Sequence, residues 1–235
     1  MAAAIFITGV GKRVGFYLAK HLAEQGYRVI GSYRTAYPEL LELEDLGVEL
    51  HSCDFYDEQQ LDELLTVLKQ QPALRAIIHN ASDWLADSNS DSAIAVMDKM
   101  MRIHASTPYA INLTLAPRLM ADSSQVTDII HLTDYVVEKG SKKHAAYAAS
   151  KAAMHNLTLS FAAKFAPHIK VNSIAPAMLM FNQDDDQQYR SKTLKKALIQ
   201  KEGGEIEVLN AVNYLLNSEY MTGQVLKLDG GRHLA

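Results

Sequence analysis

Cysteine is nearly absent from this chain of 235 residues: Cys53 stands alone, so no intramolecular disulfide can brace the fold. The nine histidines are scattered, and no Cys/His cluster has metal-ligand spacing. A reducing compartment and no bound metal are expected. A surplus of one charge is missing too, with 23 Lys and Arg against 27 Asp and Glu for a net charge of -4. Without a basic excess to neutralise phosphates, nucleic acid is not an expected partner. No apolar run approaches the roughly 18 residues of a membrane span. The opening MAAAIFITGVGKRVG has neither the basic leader nor the cleavage pattern of a secretory signal. With a mean hydropathy of -0.09, a soluble cytoplasmic protein without membrane contact is expected.

What is present is apolar material in periodic runs. Hydrophobic residues make up 48% of the chain and charged ones 21%, which rules out whole-chain disorder. No repeat or linker divides it, so residues 1–235 are expected to form one domain. Runs rich in Ile and Val fall at 4–8, 28–33, 48–53, 74–79, 128–133, 170–174 and 224–228. They are too continuously apolar to alternate, which suits strands covered on both faces, and the segments between them have helical spacing. The pattern predicts an α/β doubly wound fold with a seven-stranded parallel sheet.

The spacing predicts a first crossover helix over 12–25, closed by Gly26, and another through Leu61, Leu64, Leu65 and Leu68 that stops before Pro72. Longer helices are expected over 93–120 and 145–166, the first kinked or broken by Pro108 and Pro117, with Met97, Met100 and Met101 as core or interface filling. The irregular stretch 177–204 follows the sixth strand at the edge where ligands of open α/β sheets bind, so it is read as a substrate lid. Its acidic run Asp184, Asp185 and Asp186 reads as a helix start.

Between the first strand and first helix lies Thr8-Gly9-Val10-Gly11-Lys12-Arg13-Val14-Gly15. Glycines there permit a tight turn and close backbone approach, while the helix N-terminus offers unpaired N–H groups to a pyrophosphate. After the second strand, an acidic residue would suit the ribose hydroxyl of NADH, whereas a cation suits the 2′-phosphate of NADPH. No acid occupies 31–37, but Arg34 and Thr35 do, so NADPH is the expected cofactor. Asp54, after the third strand, is placed to accept from the adenine amino group. Asn80 and Ala81, after the fourth, are placed beneath the adenosine ribose.

Tyr147 and Lys151 share one face of a predicted helix. A neighbouring ammonium favours phenolate, so Lys151 is expected to lower the Tyr147 pKa and make it a proton relay. Tyr135 and Lys139 have the same spacing, but are expected in a loop before Gly140, and Tyr147 is preferred.

Taken in order, TGVGKRVG, HNAS, YAASK, VNSIAP and LDGG resemble the short-chain dehydrogenase/reductase family over essentially the whole chain. The resemblance implies a Rossmann-type fold and a nicotinamide-dependent reductase, usually tetrameric, with Pro176 also at the cofactor. Three positions depart from its common pattern: Arg13 replaces a glycine of the turn, His104 an asparagine, and Asp134 a serine. Arg13, Asp134 and an aromatic Trp84 after HNAS look like the pteridine reductases of that family. That resemblance implies a dihydropterin substrate, stacked on Trp84, met at its edge by Arg13 and Tyr147, and protonated by Asp134. A carbonyl or 3-oxoacyl thioester reductase would have serine at position 134, and an NADPH-binding regulator without turnover is the alternative from another class.

Overall fold

Each of the seven apolar runs forms a strand, and every neighbouring pair is parallel, in the order β3-β2-β1-β4-β5-β6-β7. The structure is a computed structural model that describes residues 3–88, 92–122 and 124–235. The strands are β1 (Ala4–Thr8), β2 (Arg28–Tyr33), β3 (Glu49–Ser52), β4 (Leu74–His79), β5 (Thr127–Leu132), β6 (Ile169–Pro176) and β7 (Val225–Leu228). All carboxyl ends therefore point to one edge. The order reverses between β1 and β4, and the crevice that opens there is where such sheets bind ligands.

Side-chain alternation divides the core into two layers. Phe6, Ile77 and Ile129 face helices α3 (Glu58–Lys69), α5 (Thr107–Leu119) and α7 (Ala145–Phe165). Ile5, Ile7, Ile78 and Ile130 face α1 (Arg13–Glu24) and α9 (Glu205–Asn217), with Leu40 and Leu43 of the short α2 (Leu40–Asp45) in the same layer. Each of these fully buried side chains is worth about 1.5–3 kcal/mol of transfer free energy, which is why β1 reads as an apolar run and β4 and β5 carry apolar centres, Ala76-Ile77-Ile78 and Ile129-Ile130.

Helix ends follow local chemistry. Helix α1 closes with Gly26 at φ 89°, its N–H donating to the Ala23 carbonyl and the Tyr27 N–H to that of Leu22. Asp57 caps α3 by accepting from the Gln59 and Gln60 N–H groups. The expected helix over 93–120 is interrupted, but not as Pro117 suggested. Helix α4 (Ala93–Met101) passes into a π-helical turn at Arg102–Ser106 and then into α5, which tolerates Pro117 in its last turn. Pro108 sits in the first turn of α5, where a missing N–H costs least. Met100 is buried, whereas Met97 is partly exposed.

At the sheet's amino edge, Asp128 is fully buried between Arg75, 2.5 Å away, and Lys170, 2.9 Å away. This cluster lies at the end of the strands opposite the glycine turn. No helix among the described residues is long and apolar enough to cross a membrane.

Candidate active site

The strand-to-helix turn after β1 is built around two close approaches. Gly9 adopts φ 76°, and a Cβ on it would lie 2.9 Å from Ala81 Cα. A Cβ on Gly15 would lie 2.0 Å from the Gly9 carbonyl oxygen and 2.4 Å from Asn80 Nδ2. Asn80 locks the turn by donating from Nδ2 to the carbonyls of Thr8 and Gly9, at 3.1 and 2.9 Å. The backbone N–H groups of Asn80 and Ala81 both donate to Thr8 Oγ1 at 3.0 Å. Helix α1 then begins without a side-chain cap and with no acid in its first turn. Its first N–H groups and positive dipole end are left for an anion. Arg13 holds φ 54°, the left-handed conformation of the glycine it replaces.

This turn forms one wall of a cleft of about 570 Å³, within the usual range for a ligand pocket. Gly9, Lys12, Arg13, Val14, Arg34, Thr35, Asp54, Asn80, Ala81 and Trp84 all line it, so the structure gathers nearly all the expected dinucleotide contacts. Lys12 Nζ lies over the Tyr37 ring at 5.1 Å, and Asp54 accepts from the Tyr56 N–H at 3.1 Å. Arg34 grips Asp83 with both Nη atoms, at 2.8 and 3.1 Å, and Tyr56 Oη donates to the same carboxylate at 2.9 Å. A phosphate cradle with an uncapped helix end and a cation after β2 fits an NADP-type dinucleotide in its donor chemistry. Cys53 also lines the cleft, as a free thiol pushed up to about 12 by burial.

Arg13 points across the mouth to the expected lid, where Nη1 donates to Asn182 Oδ1. In that segment Asp186 caps α8 (Gln187–Leu194) by accepting from the Tyr189 N–H, so the acidic run is a helix start. Trp84 is 65% exposed at the cleft, its ring centroid 4.0 Å from that of His144.

The chemical groups converge from β5 and α7. Tyr147 Oη donates to Asp134 Oδ2 at 2.8 Å, and Asp134 Oδ1 accepts from the Val136 N–H at 2.9 Å. Lys151 Nζ donates to the Leu132 carbonyl at 2.7 Å and lies 5.8 Å from the Tyr147 ring centroid. Burial, opposed only in part by Asp134, pushes Lys151 down to about 8. Burial also raises the Asp134 pKa from its ordinary carboxylate value, against the Val136 N–H, the Tyr147 hydroxyl and Lys151, which lower it.

One expectation is reversed. Tyr147 is held well above the ordinary phenol value, by burial first and then by the charge and acceptor oxygen of Asp134. The carboxylate sits at the hydroxyl, whereas the ammonium lies off the ring and is bonded to a backbone carbonyl. Asp134, Tyr147, Lys151 and Pro176 do not themselves line the large cleft; Asp134 lines a separate small cavity with Tyr135, Lys227 and His233. The rival pair is not in a loop as expected: Tyr135 precedes and Lys139 ends a one-turn helix, α6 (Val136–Lys139). The Arg232 guanidinium lies over the Tyr135 ring, 4.4 Å from its centroid, and Lys139 donates to the carbonyls of Arg232 and Ala235.

His104 connects the two halves. It is fully buried in the π-helical turn and packs edge-on to Tyr147 with centroids 5.4 Å apart. Ser150 Oγ donates to the Tyr147 carbonyl and so accepts from His104 Nδ1 at 2.8 Å, which leaves Nε2 to accept from Ser82 Oγ at 2.7 Å. Burial and Lys151 keep the ring neutral. Its sequence signal was only the substitution for asparagine; Asp83, Tyr56 and Asn182 carried no signal of their own.

A family model described as enoyl-(acyl carrier protein) reductase matches residues 9–233. Dihydromonapterin reductase of Escherichia coli strain K12 is 48% identical over 234 residues, covering 98% of this chain and 96% of that protein. The chain belongs to the short-chain dehydrogenase/reductase family. Dihydromonapterin reductase of Klebsiella pneumoniae, another member, is 46% identical over 231 residues with the same coverage. Among solved structures of the fold, alternative dihydrofolate reductase 1 from Brucella suis in complex with NADP superimposes with a TM-score of 0.87 at 24% identity, covering 99% of this chain and 96% of that one. Acetoin dehydrogenase from Enterobacter cloacae gives the same TM-score at 21% identity, covering 100% and 97%. This short-chain reductase thus shares its fold with members of differing names, and its chemistry must be read from its site.

Proposed function

We propose that this chain is an NADPH-dependent dihydropterin reductase that converts 7,8-dihydromonapterin to tetrahydromonapterin and reduces dihydrofolate more slowly. The observation that carries the reading is the carboxyl of Asp134, 2.8 Å from the Tyr147 hydroxyl, where a carbonyl reductase needs a hydroxyl. Reduction of a pterin ring requires a proton at a ring nitrogen, and a buried carboxyl with a raised pKa is a proton donor for it. The high identity to dihydromonapterin reductases supports the same substrate class.

NADPH supplies hydride when bound. The chain's own residues would bind and orient it: Gly9, Lys12, Arg13 and Val14 would hold the pyrophosphate at the α1 N-terminus, and Arg34 with Thr35 would take the 2′-phosphate. Asp54 would accept from the adenine, Asn80 and Ala81 would hold the adenosine ribose, and Pro176 and Lys151 would hold the nicotinamide end, Lys151 through its ribose hydroxyls. Trp84 offers a stacking face to the pterin, Arg13 and Tyr147 meet its edge, and Asp134 gives a proton to N5. His104 orients Tyr147 through its ring edge and Ser150.

The segment 177–204 acts as the substrate lid of this one-domain enzyme, latched by the Arg13 and Asn182 contact. Exposed Ile94, Tyr109, Leu113 and Leu159 on the α4, α5 and α7 side, and Ile206 and Tyr214 on α9, support a homotetramer. The enzyme works in the cytoplasm. Incubation with 7,8-dihydromonapterin and NADPH deuterated at C4 tests the reading. Deuterium is expected at C6 of the tetrahydropterin, and its absence from any pterin product overturns the proposal.

A further inference from the structure

Arg34, which the proposed function assigns to the 2′-phosphate, is surrounded by anions. Asp83 takes both of its Nη atoms, at 2.8 and 3.1 Å, in a bidentate pair that fixes the guanidinium plane. Tyr56 Oη donates to Asp83 Oδ2 at 2.9 Å and lies beneath the guanidinium, whose carbon is 5.9 Å from the ring centroid. Asp54, lining the same cleft, adds a second carboxylate to the field at Arg34. The receiving cation is therefore neutralised by Asp83, in a pair whose side chains remain 49% and 27% exposed. A dianionic phosphate must share that guanidinium with a carboxylate or displace it, and it feels the carboxylate's repulsion in either case.

We propose that Asp83 is a specificity-determining residue for the coenzyme: by occupying Arg34 it weakens the preference for a 2′-phosphate, making the choice of NADPH over NADH graded. This rests on the assignment of Arg34 to the phosphate. Tyr56 serves as a positioning residue that keeps Asp83 on Arg34. Unlike a general stabilising contact, this arrangement acts on the ratio of two affinities for nearly identical ligands, and it weakens with salt.

The test is direct binding of NADPH and NADH, and of 2′,5′-ADP and 5′-AMP, to the wild type and to Asp83→Asn, Asp83→Ser, Arg34→Gln and the Asp83→Asn/Arg34→Gln double variant. Removing the charge of a half-exposed pair should raise the NADPH to NADH affinity ratio about two- to fivefold at low salt. Both Asp83 variants should show the rise, the nucleotide fragments should repeat it, and the double variant should resemble Arg34→Gln. If Arg34→Gln lowers the ratio but neither Asp83 variant raises it, the proposal is overturned and the Arg34 assignment stands. If Arg34→Gln leaves the ratio unchanged, the Arg34 assignment fails and the proposal with it.

Discussion

Replacing Asp134 by Asn separates its two possible roles, because the side chains are nearly isosteric. Asp134 accepts from the Val136 N–H at 2.9 Å and from Tyr147 Oη at 2.8 Å. In the variant the amide oxygen keeps the Val136 N–H, and the amide nitrogen can donate to the phenol oxygen. The acidic proton is lost and the hydrogen bond to Tyr147 reverses. Loss of general-acid catalysis should lower kcat by about 10²–10⁴, or roughly 3–5 kcal/mol of barrier at 1.36 kcal/mol per decade. Both influences of Asp134 that raise the Tyr147 pKa disappear, so the phenol should move back toward its ordinary value. Stability should hold or rise, since a desolvated carboxyl becomes a neutral amide. Single-turnover NADPH oxidation against pH, tyrosine NMR titration and urea unfolding read the three effects. In the wild type, turnover should fall as pH rises through the elevated pKa of Asp134, and that limb should vanish in Asp134→Asn. Unchanged kcat with an unchanged pH profile would refute the acid role, and lost turnover accompanied by lost stability would make Asp134 structural.

Gly15→Ala forces a Cβ to within 2.0 Å of the Gly9 carbonyl, where backbone must move and the bonds made by Asn80 must break. NADPH affinity should fall at least about tenfold and stability by about 1–3 kcal/mol; calorimetric titration and urea unfolding would show otherwise if the turn were slack. His79 is buried with its pKa lowered to about 4 by desolvation, its Nε2 donating to Asn112 at 2.7 Å. The unfolded chain then binds the extra proton, so this contribution is intact above about pH 6.5 and lost as pH falls toward 4, by roughly 3 kcal/mol in all. His79→Gln keeps an N–H donor without a titrating ring and should flatten that part of the stability profile; an identical profile would contradict the assignment. Asp128→Asn leaves Arg75 and Lys170 buried without their anion and should cost about 3–5 kcal/mol in urea unfolding. A loss under 1 kcal/mol would mean that water reaches the cluster.

Local signals carried most of the fold. Strands such as β1 and β5 were legible because a run buried on both faces has no alternation, and α1 ended where Gly26 permits a positive φ. An interruption at Pro108 was legible, since the helix changes form just before it, but its form as a π-helical turn at Arg102–Ser106 was not, and Pro117 lies where its missing N–H is absorbed near a helix end. At the site, the glycine turn and the Tyr147 and Lys151 pair could be read from spacing. The state of Tyr147 could not: its hydroxyl answers to Asp134 from the end of β5, while the ammonium of Lys151 is drawn to the Leu132 carbonyl. Likewise Arg34 was visible as a cation after β2, but its partner Asp83 lies 49 residues on and meets it only because β2 and β4 end at the same edge of the sheet.

The central claim is that the carboxyl of Asp134 adapts a short-chain reductase to pterins. It is tested most directly by steady-state NADPH oxidation with 7,8-dihydromonapterin, alongside dihydrofolate, dihydrobiopterin and an acetoacetyl thioester. The account predicts the highest kcat/KM for dihydromonapterin, slower turnover of dihydrofolate and none of the thioester. Turnover confined to the thioester would contradict it.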